Sequence, residues 1–135
     1  MTISNSTISQ NYAAGIIAQS SGAAKIQNSI VANNSGANCL GVTSKGYNLS
    51  SDRSCAFNGP GDLNNIDPML GPLRNNGGAT KTMALPSGSP AVDAGDPSGC
   101  KVGLTLLKTD QRGQPRPDPE DRGGCDMGAY ERQGD

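Results

Sequence analysis

Residues 26–35 read IQNSIVANNS, and residues 3–11 read ISNSTISQN. The two stretches carry matching residues 23 positions apart, and the correspondence continues beyond them to Ile16 and Cys39. A repeat of roughly 20–30 residues is typical of a solenoid protein, because one repeat cannot bury its own apolar side chains until the next repeat stacks on it. This repeat therefore determines the fold that we expect.

The repeat also predicts which side chains stack. In parallel strands about 4.8 Å apart, a residue lies directly above its copy in the next repeat. The expected ladders consist of Ile3 over Ile26, Ile8 over Val31, and Asn5 over Asn28. Each asparagine amide can donate to the side-chain carbonyl of the next one. We therefore expect a structural role for Asn5 and Asn28 at a bend of the chain, and contact with a ligand is the alternative.

Short runs of β-branched and apolar residues, separated by Gly, Ser and Asn, predict strands rather than helices. No window has the apolar spacing of a helix over three turns. The expected strands lie near residues 2–5, 15–18, 25–31, 38–40 and 46–49. We predict an all-β fold that forms a short right-handed parallel β-helix of two to three coils over residues 1–50. The handedness follows the general rule for parallel crossovers.

Residues 51–131 differ in composition and predict a loop-rich C-terminal cap. Three prolines (Pro60, Pro68 and Pro72) and several Gly pairs preclude long regular elements at its start. Within the cap we expect strands at residues 80–85, 90–94 and 126–131 and a long excursion at 96–125, and a tail follows at 132–135.

The first repeat begins at Ile3 with no capping element before it. We interpret Met1 as the start of a chain that is truncated on its N-terminal side. Residues 2–10 carry no charge and no Pro, so their strands would form an edge that pairs readily with other strands. We therefore expect self-association through this open N-terminal coil.

Composition and charge exclude several classes of protein. Apolar residues make up 33% of the 135 residues, a thin core that suits the narrow interior of a solenoid better than a compact globule. The net charge of −1 leaves no basic surface for nucleic acid. No run approaches the ~18 consecutive apolar residues of a membrane-spanning helix, so we expect no membrane span.

The chain has four cysteines, at Cys39, Cys55, Cys100 and Cys125. It has no CxxC motif and no His, which argues against a zinc site. Free thiols in a cytosolic protein remain an alternative, but two disulfides in an exported protein fit the Ser/Asn/Gly-rich sequence better. Of the three possible connectivities we predict the local one, Cys39–Cys55 with Cys100–Cys125. Each bond would stabilise the fold by roughly 3 kcal/mol.

Five islands of sequence resemble a known family. They are GYNL at residues 46–49, DPMLGPL at 67–73, NGG.T.T.AL at 76–85, SPAVDAGD at 89–96, and DQRG…CDMGAYE at 110–131. In this order they are similar to the choice-of-anchor Q domain, which closes the β-helix repeats of bacterial exported and surface proteins. The resemblance covers about residues 38–131. It implies an extracellular or cell-surface location, with a sorting anchor in many members, and it implies no catalytic residues.

Two classes of function agree with these features. The first is a non-catalytic structural and interaction module of the surface adhesin or stalk type, which caps the solenoid and presents loops to a glycan or a surface protein. The alternative is the C-terminal part of a carbohydrate-active β-helix enzyme, a polysaccharide lyase or glycoside hydrolase, whose catalytic coils lie upstream.

Catalysis by this chain itself would need paired carboxylates, with Arg or Lys for a uronate. The available groups are Asp93, Asp96, Asp110, Asp118, Glu120, Asp121, Asp126 and Glu131, with Arg112 and Arg116. Most lie in Pro/Gly-rich loops, and two or three coils span too little for an extended groove. We therefore expect no catalytic activity.

Two structural roles remain for these charged residues. Asp93, Asp96 and Asp110 are oxygen ligands of the kind that Ca²⁺ prefers, although their spacing matches no EF-hand loop. Turn capping by Asp93 and Asp96 is the simpler interpretation, and we expect no other cofactor. Arg112 would form an ion pair with Asp126 or Glu131 and so fasten the excursion of residues 96–125.

Overall fold

The computed structural model describes residues 1–119 and 124–134, and within them the protein is all-β, with eleven short strands and no helix. The strands are β1 (Thr2–Ser4), β2 (Thr7–Ser9), β3 (Ile16–Ile17), β4 (Ala24–Gln27), β5 (Ile30–Ala32), β6 (Cys39–Leu40), β7 (Val42–Ser44), β8 (Leu49–Ser50), β9 (Leu63–Asn64), β10 (Lys101–Val102) and β11 (Thr105–Leu106).

Nine of these strands form three parallel sheets. The sheet orders are β1-β4-β7, β2-β5-β8-β9 and β3-β6, and all neighbours in them are parallel. The remaining two strands, β10 and β11, form an antiparallel hairpin. In each parallel sheet the strands follow the order of the sequence, so successive segments of the chain are stacked on one another.

The register of the pairing reproduces the sequence repeat. Ile3 pairs with Ile26 and Ile8 with Val31, at a separation of 23 residues. The next separation is shorter, 18 residues between β4 and β7 and 19 residues between β5 and β8. We refer to residues 2–23 as the first repeat and to residues 24–41 as the second repeat.

A bend at Asn28 divides the stretch that was predicted as one strand over residues 25–31. Asn28 has φ 53° and separates β4 from β5, and Asn5 has φ 50° at the same place one repeat earlier. Asparagine is one of the few side chains that tolerate this left-handed conformation. The bend directs the two strands into different sheets, so the single predicted strand is wrong.

The first core lies between the three parallel sheets. Its buried members are Ile16, Ile26, Val31, Cys39, Cys55 and Phe57, and Ile3, Ile8 and Val42 pack against them. Strand residues alternate between the two faces of a sheet. Residues that the sequence places in an apolar ladder therefore meet in this core.

A second core lies on the opposite face of the four-stranded sheet. Within β5, Val31 faces the first core, whereas Ile30 and Ala32 face the second. There they meet Leu85, Ala91 and Met127, which come from residues 79–119 and 124–134, termed here the C-terminal segment. The sheet is thus covered on both faces, and this explains why β5 is buried throughout.

The strands predicted within the cap are wrong. Residues 80–85, 90–94 and 126–131 form turns, bends and irregular chain, except for an isolated bridge between Arg74 and Thr82. Their apolar side chains pack on the outer face of the sheet, while the main chain forms local bonds such as Val92 N–H to Ser89 C=O. The closely spaced apolar residues of this segment are therefore buried because the segment packs on the sheet with one side. Their spacing does not indicate a strand.

Other strands lie where none was predicted. The strands β2, β7 and β9 and the β10-β11 hairpin lie outside the predicted ranges, and the strand predicted at residues 46–49 is displaced to Leu49–Ser50. Gly46 and Tyr47 have φ values of 108° and 59°, so a turn occupies the start of the predicted strand.

Candidate functional site

The asparagines expected to stack lie one above the other at the bend between two sheets. Asn28 Nδ2 donates to Asn5 Oδ1 at 2.8 Å, and Asn28 is only 1% exposed. Asn28 also holds the C-terminal segment, because its Oδ1 accepts the Asp96 N–H at 2.9 Å and its main-chain carbonyl accepts the Gly128 N–H at 2.9 Å. One side chain therefore connects the stacked repeats to the C-terminal segment.

The β10-β11 hairpin ends this amide ladder. Asn5 Nδ2 donates to the main-chain carbonyl of Lys101 at 2.9 Å, in the place where the carbonyl of a preceding asparagine would otherwise accept. The hairpin is closed at its base by the bond from Leu107 N–H to Cys100 C=O. A polar group of the first repeat is thus satisfied by the C-terminal segment.

The structure contains the disulfides Cys39–Cys55 and Cys100–Cys125. The first lies in the first core, and the second lies buried beside Asn28 at the base of the hairpin. Both bonds indicate an oxidising compartment. The described residues contain no helix of the length and hydropathy that crossing a membrane requires.

Two contacts between an arginine and a carboxyl group are buried in the C-terminal segment, and their partners differ from those we predicted. Arg112 pairs with Asp110 at 2.8 Å, and Arg116 pairs with Glu131 at 2.6 Å. Arg112 donates to the main-chain carbonyl of Glu131 at 2.6 Å and forms no bond with the Glu131 carboxyl group. The Arg112 guanidinium also stacks on Tyr130, 3.7 Å from the centre of the ring. The role expected of Arg112, to fasten the long loop, is shared with Arg116, which the sequence analysis placed only among catalytic candidates.

Burial alters the ionisation of Glu131. Its pKa is raised to about 8, because burial disfavours the charged form more strongly than the Arg116 guanidinium stabilises it. The Asp126 carboxylate raises it further, while the Asp126 main-chain N–H donates to Glu131 and lowers it. Glu131 is fully buried and engaged by protein donors, so it has no access to a substrate.

The other candidate carboxylates are also engaged in structural bonds. Asp110 accepts the main-chain N–H groups of Arg112, Gln114 and Glu131. Asp126 accepts those of Asp93 and Arg132.

The remaining carboxylates lie at turns or outside the described residues. Asp96 accepts the Ser98 N–H at 2.8 Å in a turn, and Asp118 accepts the Gly134 N–H. Glu120 and Asp121 lie outside the described residues. Over the described part of the chain, no three His, Cys, Asp or Glu side chains form a group that could hold a metal ion, so Asp93, Asp96 and Asp110 are not brought together as a calcium site.

The first repeat lies at the edge of every parallel sheet. Among the described residues no strand pairs with the outer side of β1, β2 or β3. In β2 the bond from Ile30 N–H to Ser6 C=O shows which residues face β5. Because alternate residues of a parallel strand bond to opposite sides, Thr7 and Ser9 direct their N–H and C=O groups away from the sheet.

Two clefts adjoin this edge, and Thr7, Gln111 and Ala129 line both of them. The first has a volume of about 260 Å³ and is lined by Thr7, Ser9, Leu73, Lys81, Met83 and Tyr130, among others. The second, of about 420 Å³, is lined by Asn5, Ser6, Thr7, Leu107, Asp110 and Arg116, among others. Ser9 Oγ is buried without a hydrogen-bond partner among the described residues. The edge of the first repeat is therefore the candidate functional site.

Sequence reasoning predicted the open edge but not the clefts. The walls of the first cleft come from residues more than 60 positions away, which no repeat or motif links to β2. A partial signal exists in the alignment itself, because Thr7 and Ser9 stand where the second repeat has Ile30 and Ala32. Comparison with protein families, curated proteins and solved structures finds no significant match to this chain.

Proposed function

We propose that this chain is the C-terminal end of an extracellular right-handed parallel β-helix and acts as a non-catalytic structural and interaction module, of the surface adhesin or stalk type. The parallel sheets support the β-helix, because strands from successive repeats pair at the 23-residue spacing of the sequence repeat. Right-handed crossovers are the general rule for parallel strands. The resemblance to the choice-of-anchor Q domain favours the same function and location.

The single observation that carries the proposal is the position of the C-terminal segment. It covers the outer face of the four-stranded sheet, where Met127 and Leu85 pack with Ile30 and Leu49. It also reaches the first repeat, since the Ala129 N–H donates to Thr7 Oγ1 at 3.0 Å. A segment that contacts every level of a stacked sheet stabilises the whole stack, which is the task of a cap.

Two further observations support the rest of the proposal. The carboxyl groups of Asp110, Asp126 and Glu131 bond to main-chain groups and arginines of this chain, an arrangement suited to holding loops and not to proton transfer. The disulfides agree with an exported protein. We place the interaction surface at the two clefts between the first repeat and the C-terminal segment, where a glycan or a surface protein would be accommodated. We expect this chain by itself to self-associate through the open edge of the first repeat.

Amide exchange in a Met127→Ala variant tests this function. Loss of the buried side chain should destabilise the protein by roughly 2–5 kcal/mol and accelerate exchange at Ile30 and Ala32, on the far side of the interface. Leu104→Ala is the matched control, because Leu104 lies in the same segment but is 99% exposed. Faster exchange confined to the neighbourhood of residue 127 would show that the segment does not cap the sheet.

A further inference from the structure

We propose that Asn58 is a site of spontaneous covalent modification, where the main-chain nitrogen of Gly59 displaces the side-chain amide as ammonia and Asp62 acts as the general base. The co-reactant is water, which opens the succinimide that forms. The site lies in the turn before β9, at the end of the four-stranded sheet opposite the first repeat. The inference goes beyond the proposed function and does not depend on it.

The side chain of Asn58 is not restrained by its surroundings. Asn58 is exposed, and in the part of the chain that the structure describes its side chain has no hydrogen-bond partner. Asparagines with a structural role, such as Asn28 and Asn48, are instead buried and bonded. The amide of Asn58 can therefore rotate until its Cγ atom meets the nitrogen of the next residue, which covalent geometry places within reach of ring closure.

Gly59 supplies the attacking nitrogen and leaves it unshielded, because glycine has no Cβ beside its nitrogen. The packing also requires glycine at this position. A Cβ at residue 59 would lie 2.8 Å from the Gly46 nitrogen and 3.0 Å from Asp62 Oδ2. The close approach of the two turns therefore selects the residue type that also favours the reaction.

Asp62 is placed to take the proton from the attacking nitrogen. The Gly59 N–H donates to Asp62 Oδ2 at 2.6 Å, within the distance at which a general base acts. The other carboxylate oxygen accepts the Asn48 N–H at 2.8 Å, which holds the carboxylate in this position.

The reaction exchanges one covalent bond for another and then consumes one water molecule. Asp62 takes the Gly59 proton while the nitrogen attacks Asn58 Cγ. The Cγ–Nδ2 bond then breaks, and the proton leaves with the departing group as ammonia, so Asp62 returns to its ionised form. Water opens the succinimide at either carbonyl, and residue 58 becomes aspartate or isoaspartate.

A second Asn-Gly pair, at residues 76 and 77, has the same two residues in a different environment. Asn76 Nδ2 donates to the Thr82 carbonyl at 2.9 Å, and Asn76 Oδ1 accepts from Arg74 Nε at 3.2 Å. The Gly77 N–H donates to the side-chain oxygen of Asn75, which is a neutral amide and not a carboxylate. This pair has a restrained side chain and no base at its nitrogen, so the structure predicts that it is protected.

Incubation of the native protein at neutral pH, followed by peptide mapping with mass spectrometry, tests the inference. Aspartate and isoaspartate should accumulate at residue 58 at least about tenfold faster than at residue 76, because the second site must first break its hydrogen bonds. In urea the two sites should react at similar rates, since both present an unrestrained Asn-Gly pair. This ratio is measured within one chain and does not require a variant to fold.

The role of Asp62 is tested by Asp62→Asn, which keeps the size of the side chain and removes the base. Reaction at residue 58 should slow by at least about tenfold in the folded variant, while the rate at residue 76 stays unchanged. Asp67→Asn, at an exposed turn, is the matched control and should not alter either rate. If Asp62 only held the turn in place, its removal would loosen the turn and accelerate the reaction.

The isoaspartate product should also loosen the end of the stack. It lengthens the main chain beside a turn whose Pro60 carbonyl accepts the Tyr47 N–H at 2.8 Å. Amide exchange at Tyr47 should therefore accelerate in the aged protein but not in Asn58→Asp, which has the new charge without the longer main chain. Equal rates at residues 58 and 76 in the native protein, or a rate at residue 58 that Asp62→Asn leaves unchanged or raises, would overturn the inference.

Discussion

Asn28 donates its side-chain amide to Asn5 across 2.8 Å, and the two residues occupy equivalent bends 23 residues apart in the sequence. The contact combines two requirements of a stacked fold. Each residue adopts the left-handed conformation at a bend between two sheets. The side-chain amide of Asn28 also supplies the hydrogen bond that the side-chain oxygen of Asn5 requires. The oxygen of Asn28 then binds the Asp96 N–H, so the same residue also orients the C-terminal segment.

Substitution of Asn28 separates these contributions. Asn28→Gly keeps a residue that adopts positive φ but removes the amide, and leaves buried groups of Asn5 and Asp96 unsatisfied. Each such group costs roughly 1–3 kcal/mol. Asn28→Ala should be less stable still, since alanine disfavours the left-handed bend. Urea unfolding of both variants, with Asn11→Ala as an exposed control, measures the difference. Equal stability of Asn28→Gly and the native chain would contradict a structural ladder.

The Cys100–Cys125 disulfide should stabilise both the hairpin and the first repeat. Replacing both cysteines by alanine is expected to cost roughly 3 kcal/mol, because the bond closes a long loop of the unfolded chain. Exchange should accelerate at the main-chain amide of Lys101 and at the side-chain amide of Asn5, since Asn5 Nδ2 donates to the Lys101 carbonyl. In the matched Cys39→Ala/Cys55→Ala variant the loss should appear in the first core instead. Exchange at Asn5 that does not respond to the loss of Cys100–Cys125 would contradict the link.

The raised pKa of Glu131 predicts that the free energy of unfolding decreases as pH rises. Its pKa is raised from the ordinary value of 4.5 to about 8 by burial, so between these values the folded state holds a proton that the unfolded state has released. This contribution is present at low pH and is lost as pH rises through about 8. The free energy of unfolding of the native chain should therefore decrease between about pH 5 and pH 9, and the decrease should be smaller in Glu131→Gln. A native chain that becomes more stable over this interval, relative to Glu131→Gln, would contradict the assignment.

The lowered pKa of Asp52 predicts the opposite pH dependence, a free energy of unfolding that decreases as pH falls in the acid range. Burial opposes its ionisation, but hydrogen bonds from the Ser54 hydroxyl and from the N–H groups of Asn38 and Ser54 outweigh burial and lower its pKa. The stabilisation is present above the unfolded-state pKa and is lost as pH falls through the lowered value. Asp52→Asn should be less stable at neutral pH and should lose less stability in acid than the native chain. Asp67→Asn, at an exposed turn, serves as the control, and identical acid profiles for the two variants would contradict the prediction.

The parts of the fold that follow a period could be predicted from the sequence. The pairing of Ile3 with Ile26 and of Ile8 with Val31 follows from residues that recur at one spacing, because stacked strands bring equivalent positions together. The C-terminal segment has no such period. Its apolar residues, such as Ala91 and Met127, are buried from one side in turns, and their spacing therefore resembled strands that do not form.

The candidate site could not be predicted from the sequence, because its residues are brought together from distant parts of the chain. Arg116 and Glu131 lie 15 residues apart, and nothing in their spacing distinguishes this pair from Arg112 with Glu131. The main-chain donors around Asp110 decide which arginine approaches which carboxylate, and these depend on the loop conformation. The cleft beside β2 likewise exists only because the C-terminal segment folds back to the first repeat.

Through-space proton contacts measured by NMR test the central claim of stacked parallel repeats most directly. The structure predicts cross-strand contacts that join Ile3 to Ile26, Ile8 to Val31 and Ile16 to Cys39, all in parallel register, together with a contact between Thr7 and Ala129. Antiparallel contacts between these segments, or parallel contacts at a register other than the sequence repeat, would contradict the account.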